Sequence, residues 1–180
     1  MANDKTLRLE RDTYIHVLDH LTQLTKVHQG PITFVRKDSE EVVSGPNKNI
    51  QLPPNSYTII ENPVELGKDG RPLKDGFGCY KLKHGDREVR LADDWQDSFP
   101  LYPGEKDTFA GVIQKLIVVT KDEDILIEVN RTYTDAQGVA RKAGSKYQLH
   151  GPRTYIPRKE ESFKQKVERI VVKPNTALRL

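Results

Sequence analysis

The chain has 180 residues and a mass of 20.6 kDa, with 36% hydrophobic and 31% charged residues, a composition ordinary for a soluble globular protein of one or two domains. Its net charge of +3, with a pI near 8.9, is too weak to argue for a nucleic-acid partner by itself. The single cysteine, Cys79, excludes an intrachain disulfide and fits a reducing, cytosolic compartment; no stretch approaches the roughly 18 apolar residues of a membrane span, and the N-terminal residues lack the apolar run of a secretory signal.

Aromatic residues make up only 7% of the chain, which favours several small cores over one large one. In chain order, the first clear signal is Gly30-Pro31 followed by Ile32-Thr33-Phe34-Val35. Glycine turns the backbone, proline fixes the next φ, and the β-branched and aromatic residues begin a strand. Gly45-Pro46-Asn47, Lys68-Asp69-Gly70 and Lys74-Asp75-Gly76 read as turns. Tyr80 and Leu82 alternate with Lys81 and Lys83. After the turn His84-Gly85-Asp86, Val89 and Leu91 alternate with Glu88 and Arg90, which predicts the aliphatic pair inside and the charged pair in water. Asp122-Glu123-Asp124 reads as a charged hairpin tip rather than a calcium site, since the EF-hand spacing is missing. Ile125, Ile127 and Val129 share one strand face, with Glu128 and Asn130 on the other. Asp135-Ala136-Gln137-Gly138 is a turn, and Tyr147 and Leu149 alternate with Gln148 and His150. Helical spacing occurs only in Lys159–Ile170, through Phe163, Val167 and Ile170; a strand or a charged linker is the alternative there. Eleven prolines and twelve glycines leave little room for long helices. The expected class is all-β: tandem small antiparallel sheets with little or no helix.

The chain also resembles itself. Gly30-Pro31-Ile32-Thr33-Phe34-Val35-Arg36-Lys37 matches Gly151-Pro152-Arg153-Thr154-Tyr155-Ile156-Pro157-Arg158-Lys159, and acidic residues follow each copy: Asp38, Glu40 and Glu41 in one, Glu160 and Glu161 in the other. Leu52-Pro53-Pro54-Asn55-Ser56 parallels Val172-Lys173-Pro174-Asn175-Thr176. In the divergent middle copy, Tyr102-Pro103-Gly104-Glu105 stands where the Gly-Pro element is expected. The repeat-defining turns are thus Gly30, Pro31, Pro103, Gly104, Gly151 and Pro152. The organisation that follows is 1–51, 52–112 and 113–168 as three repeats, with 169–180 opening a fourth. Ala177-Leu178-Arg179-Leu180 reads as a strand stopped midway, so a longer parent chain is expected.

Catalytic and metal motifs fail one by one. No phosphate-cradling glycine motif is present. His16 and His20 are four apart on a predicted strand, where that spacing does not converge on one metal; Cys79 and His84 flank a turn without an orienting acid. The reading is a non-enzyme with no catalytic, cofactor or metal residues. Charge is uneven: Asp86–Asp107 holds seven acidic against three basic residues, and Arg153–Leu180 eight basic against three acidic. Opposite patches on adjacent copies could set register, although solvated surface is the more ordinary explanation. The basic segment lacks the several aromatics of a nucleic-acid stacking platform, which argues against direct RNA binding.

Several ordered stretches resemble the N-terminal repeats of the major vault protein family. They are Tyr14-Ile15-His16-Val17-Leu18-Asp19, Gly30-Pro31 with Phe34-Val35-Arg36, Pro53-Pro54 with Tyr57, Glu61-Asn62-Pro63-Val64, Val89-Arg90-Leu91-Ala92, Phe99-Pro100-Leu101-Tyr102-Pro103-Gly104-Glu105, Gly151-Pro152 with Thr154-Tyr155-Ile156-Pro157-Arg158-Lys159-Glu160, and Asn175-Thr176-Ala177-Leu178-Arg179-Leu180. Asp107–Lys121 and Asp93-Asp94-Trp95-Gln96-Asp97 depart from the family pattern and blur the boundary between the second and third repeats. The resemblance implies a structural stave of a ribonucleoprotein shell, in the cytoplasm and in the nucleus as a second compartment. Its partners would be further copies, side by side and end to end at the waist where half-shells meet, with Tyr14, Ile15, His16, Val17, Leu18 and Asp19 as the self-association candidates. The family also implies docking of a vault poly(ADP-ribose) polymerase on such repeats, no cofactor and no membrane.

Overall fold

Residues 5–95 and 98–169 are described in a computed structural model, and among them every regular element is a β-strand. The strands fall into three successive sets. The first set is β1 (Thr6–Leu9), β2 (Thr13–Asp19), β3 (Leu24–Gln29), β4 (Ile32–Val35) and β5 (Glu40–Lys48). β1 and β4 form an antiparallel ribbon, while β2 is the centre of an antiparallel sheet ordered β3-β2-β5. Leu9 and Phe34 from the ribbon meet Ile15 and Val17 from the sheet, and this core joins the two. The i, i+2 period of β2 puts Ile15 and Val17 on one face by construction.

The second set replaces β1 with one residue: Ile50 bridges Phe99, each amide donating to the other's carbonyl at 2.9 and 3.1 Å. Its sheet is β6 (Ser56–Glu61) flanked by β7 (Arg87–Leu91) on one side and by β8 (Lys106–Asp107) and β9 (Gln114–Lys115) on the other. Between β6 and β7 runs a long insertion, 62–86, held by the isolated bridges Val64–Leu82, Leu66–Pro72 and Lys74–Tyr80. The alternation at Tyr80–Lys83 is therefore real in exposure without making a continuous strand. Ile50, Ile60 and Phe99 form the core, with Trp95, Leu101 and Ile113 around it.

The third set is β10 (Ile117–Val119), β11 (Glu123–Val129), β12 (Tyr133–Thr134), β13 (Ala140–Arg141), β14 (Lys146–His150), β15 (Arg153–Tyr155) and β16 (Glu161–Glu168). Its plan repeats the first: ribbon β10-β15, sheet β14-β11-β16, and a core of Val119, Ile125, Ile127 and Tyr155. The addition is a small hairpin, β12-β13, inserted between β11 and β14. The chain divides into two compact units, Met1–Lys115 and Leu116–Leu180, so the first two sets share one unit. Within that unit Ser98 Oγ donates to Asp12 at 2.8 Å. The residues expected to open a fourth repeat lie, apart from Arg169, outside the described range.

Four expectations need correction. Of the readings open for Lys159–Ile170, the helical one fails over the described residues 159–169 and the strand holds: Glu161–Glu168 is the edge strand β16, since apolar spacing alone could not outweigh pairing to β11. Gly45-Pro46-Asn47 is no turn but lies inside β5, where the register against β2 shifts around His16. Gly45 takes φ +105 there, and a Cβ would stand 2.7 Å from the Tyr14 carbonyl oxygen, so this is a bulge only glycine fits. At β7 the predicted faces are inverted: Arg90 is fully buried, while Val89 and Leu91 are half-buried. Finally, Tyr102-Pro103-Gly104 does not replace the Gly-Pro element. It follows the core aromatic Phe99, whereas Gly30-Pro31 and Gly151-Pro152 precede Phe34 and Tyr155.

The structure also changes the reason for the repeated glycine. Gly30 donates its N–H to Thr13 and Gly151 to Glu123 across the sheet. A Cβ on Gly30 would lie 1.9 Å from the Glu10 carbonyl oxygen, and one on Gly151 would lie 1.9 Å from that of Thr120. Close backbone approach, rather than turning, selects glycine at both places.

Candidate functional site

Each repeat carries one glutamate in the same place. Phe34, Phe99 and Tyr155 are the core aromatics, and six residues after each stands Glu40, Glu105 or Glu161. A tight turn precedes each glutamate: the amide of Glu40 donates to Lys37 at 3.1 Å, that of Glu105 to Tyr102 at 2.9 Å, and that of Glu161 to Arg158 at 3.2 Å. A second equivalent position faces it. His28, Arg90 and Leu149 pair across the sheet with Ile15, Thr58 and Ile125, each of which is fully buried. The three repeats thus offer the same glutamate three different neighbours.

In the second repeat the neighbour is a guanidinium. Arg90 and Glu105 are both 0% exposed at the side chain and meet at 2.5 Å, with Glu88 at 3.0 Å on the arginine Nε. Glu105 also accepts the amides of Val64 at 2.8 Å and Tyr102 at 2.9 Å. The Arg90 guanidinium lies 4.0 Å from the Trp95 ring centre and 5.0 Å from that of Phe99. Stacking keeps the cation in contact with polarisable surface where water is excluded. A buried pair of this kind tolerates no missing partner. The long insertion is therefore tied to the sheet through Val64.

In the first repeat the neighbour is His28, whose ring lies 4.8 Å from Phe34. Burial holds the His28 ring below its ordinary range, opposed by the nearby Glu40 carboxylate. Glu40 accepts the local Lys37 amide at 3.0 Å and stands 3.9 Å from the Lys37 ammonium. No insertion follows β2 here.

In the third repeat the neighbour is Leu149, and no cation takes its place. Three phenols converge instead: Tyr133 and Tyr147 donate to Glu161 Oε1, the latter at 2.6 Å, and Tyr155 donates to Oε2 at 3.2 Å. Burial pushes the Glu161 carboxyl up to about 7. A cavity of about 230 Å³ opens beside it, with Arg141, Arg153 and Arg158 on its walls.

The catalytic candidates do not assemble. Cys79 lies in a turn closed by Asp75, which accepts the amides of Phe77 and Cys79, while His84 belongs to the next turn, closed between Lys83 and Asp86. His16 hydrogen-bonds the Leu101 carbonyl at 2.7 Å and His20 faces Glu41 at 2.9 Å. Asp124 pairs with Arg169 at 2.6 Å and His150 at 3.0 Å, and Glu123 pairs with Lys166 at 3.3 Å. The Arg169 guanidinium holds the Asp124 carboxyl below the usual carboxylate range. Among the described residues no group of three or more histidine, cysteine or acidic side chains could hold a metal ion.

Of the self-association candidates, Tyr14, Ile15 and Val17 are sealed in the fold, and His16, Leu18 and Asp19 are half-buried. Much of the uneven charge is spent internally. Glu88 and Glu105 meet Arg90, and Asp107 accepts from Thr58 and Gly111. Lys164, Lys166 and Arg169 pair with Glu128, Glu123 and Asp124. Asp93 and Asp94 in the first unit, and Arg153 and Arg158 in the second, carry no ion pair among the described residues.

Tandem β-repeats, each with a small core and a shared glutamate, and two of them with the same glycine contact, define a repeat-built scaffold module. Two family models, both described as Major Vault Protein repeat domain, match residues 49–108 and 117–158. The chain is 40% identical to the Major vault protein of Diplobatis ommata over 177 residues, which is 98% of this chain and 20% of that one. It is 38% identical to Major vault protein alpha of Dictyostelium discoideum over 177 residues, with 98% and 20% covered, and 38% identical to the Major vault protein of Mus musculus over 184 residues, with 100% and 20% covered. The chain belongs to the major vault protein repeat family. It spans about a fifth of the length of the curated relatives it matches. None of these relatives is named as an enzyme.

Proposed function

We propose that this chain is a structural segment of a vault shell, its repeats forming barrel wall and carrying contacts between copies. The observation that carries the reading is the construction itself. Repeats with three- or four-residue cores and short, open-edged sheets bury little surface alone, and neighbours complete such units. Lateral register would come from the charges left over after internal pairing, Asp93 and Asp94 on one unit and Arg153 and Arg158 on the other. End-to-end contacts at the waist would use the half-buried Leu18 and Asp19 at the end of β2. Further copies and a poly(ADP-ribose) polymerase are the partners in this reading, in cytoplasm and nucleus. The internal pairing of Lys164, Lys166 and Arg169 supports the argument against RNA binding on the basic segment.

Light scattering against concentration and salt tests the proposal. Growth beyond monomer that weakens with salt, and weakens again in Arg153→Glu/Arg158→Glu, is the expected result. A strict monomer at every concentration would sink the claim that these repeats carry lateral contacts.

A further inference from the structure

We propose that the Glu161 carboxyl is a proton-operated latch that keeps the β12-β13 hairpin closed over the third repeat when protonated and frees it when ionised. One side chain on β16 is reached by phenols from three other strands: Tyr133 on β12, Tyr147 on β14 and Tyr155 on β15. Those strands belong to the three separate small sheets of this unit. Among the described residues the strands β12 and β13 pair with each other and with no further strand. At the base of the hairpin the amides of Asn130 and Arg131 donate to the Glu160 carbonyl at 2.7 and 3.2 Å; beyond that base, side chains attach it to the rest of the repeat: Tyr133 on Glu161, Arg158 at 5.5 Å over the Tyr133 ring, and Arg141 at 4.0 Å over the Tyr147 ring. Loosening Glu161 therefore loosens the hairpin.

The direction follows from burial. With the hairpin closed, Glu161 is 8% exposed; with it open, water reaches the carboxyl. A charge costs more to bury than a neutral acid. The phenol donors favour the charged form, and Arg153 and Arg158 stand on the cavity wall. Arg141 is committed to Asp135 at 3.1 Å, and the core strand β11 contributes only Ile125 and Ile127. Burial outweighs these aids, since the carboxyl sits near 7 when closed. The closed form thus holds its proton more tightly than the open form, and rising pH favours opening.

The sister repeat supplies the contrast. Glu105 also ties an insertion to its sheet, through Val64, but Arg90 opposes it at 2.5 Å. The insertion 62–86 is thereby anchored by a permanent ion pair, and the hairpin 130–145 by a titrating one.

Amide hydrogen exchange on this chain, corrected for intrinsic rates, decides the matter. Between about pH 6 and about pH 8, protection at residues 131–143 should fall about tenfold, the ratio set by a carboxyl near 7 closed and 4.5 when free in water. Insertion 62–86 should stay flat. Glu161→Gln, a neutral isostere of the protonated acid, should remove the slope, and Tyr133→Phe should lower protection at both pH values while keeping it. Equal wild-type protection at the two pH values overturns the latch without needing any variant to fold, and so does a slope that survives in Glu161→Gln.

Discussion

Replacing Arg90 by methionine removes the cation from the second repeat while keeping its bulk over Trp95 and Phe99. Glu105, 0% exposed at the side chain, would keep the Val64 and Tyr102 amides but lose the Arg90 counter-charge. Removing one partner of a buried pair costs about 3–5 kcal/mol, because the remaining charge stays buried. With a urea slope of about 2 kcal/mol per molar, the midpoint of the first unit should drop by about 1.5–2.5 M. The double variant Arg90→Met/Glu105→Gln should recover part of that loss, since a neutral amide needs no cation and still accepts one of the two amide protons. Chemical denaturation of the four proteins gives the coupling directly. If Arg90→Met costs under about 1 kcal/mol, or if the single costs simply add in the double variant, the pair is not what holds this repeat together.

Other perturbations read other parts of the fold. Ile125→Ala empties the centre of the third core and should cost about 2–5 kcal/mol in thermal unfolding of the second unit, with less effect on the first. Gly151→Ala drives a methyl onto the Thr120 carbonyl and should lower stability by roughly 3 kcal/mol or more, whereas Gly138→Ala, at φ +80 with nothing within 4 Å, should cost about 1 kcal/mol. Asp124 has its carboxyl lowered by Arg169, so its contribution is present above the ordinary carboxylate range and is lost as pH falls through the depressed value. NMR titration should place Asp124 below a free aspartate, and Arg169→Gln should bring it back up.

Several of these features were legible in the chain before any coordinates. The i, i+2 pattern Ile125-Ile127-Val129 put those residues in the core, and all are at most 1% exposed. The Gly-Pro copies marked equivalent points of two repeats, and the acidic residues after them already included Glu40 and Glu161. Their role was missed because an acid after a turn is ordinarily solvated, and nothing local shows that tyrosines from three different strands will cover Glu161.

What the sequence by itself determined is the β class, the repeat and the interior of each strong strand, because alternation is a local property of the pleat. Tertiary structure alone decided which face of β7 turns inward. Val89 and Leu91 are the apolar pair, yet Arg90 goes inside because Trp95, Phe99 and Glu105, on the irregular segment that follows β7, fold back to receive it. The same holds for Glu161: its chemistry depends on whether the opposite position carries arginine, histidine or leucine, and only strand register brings that position to it.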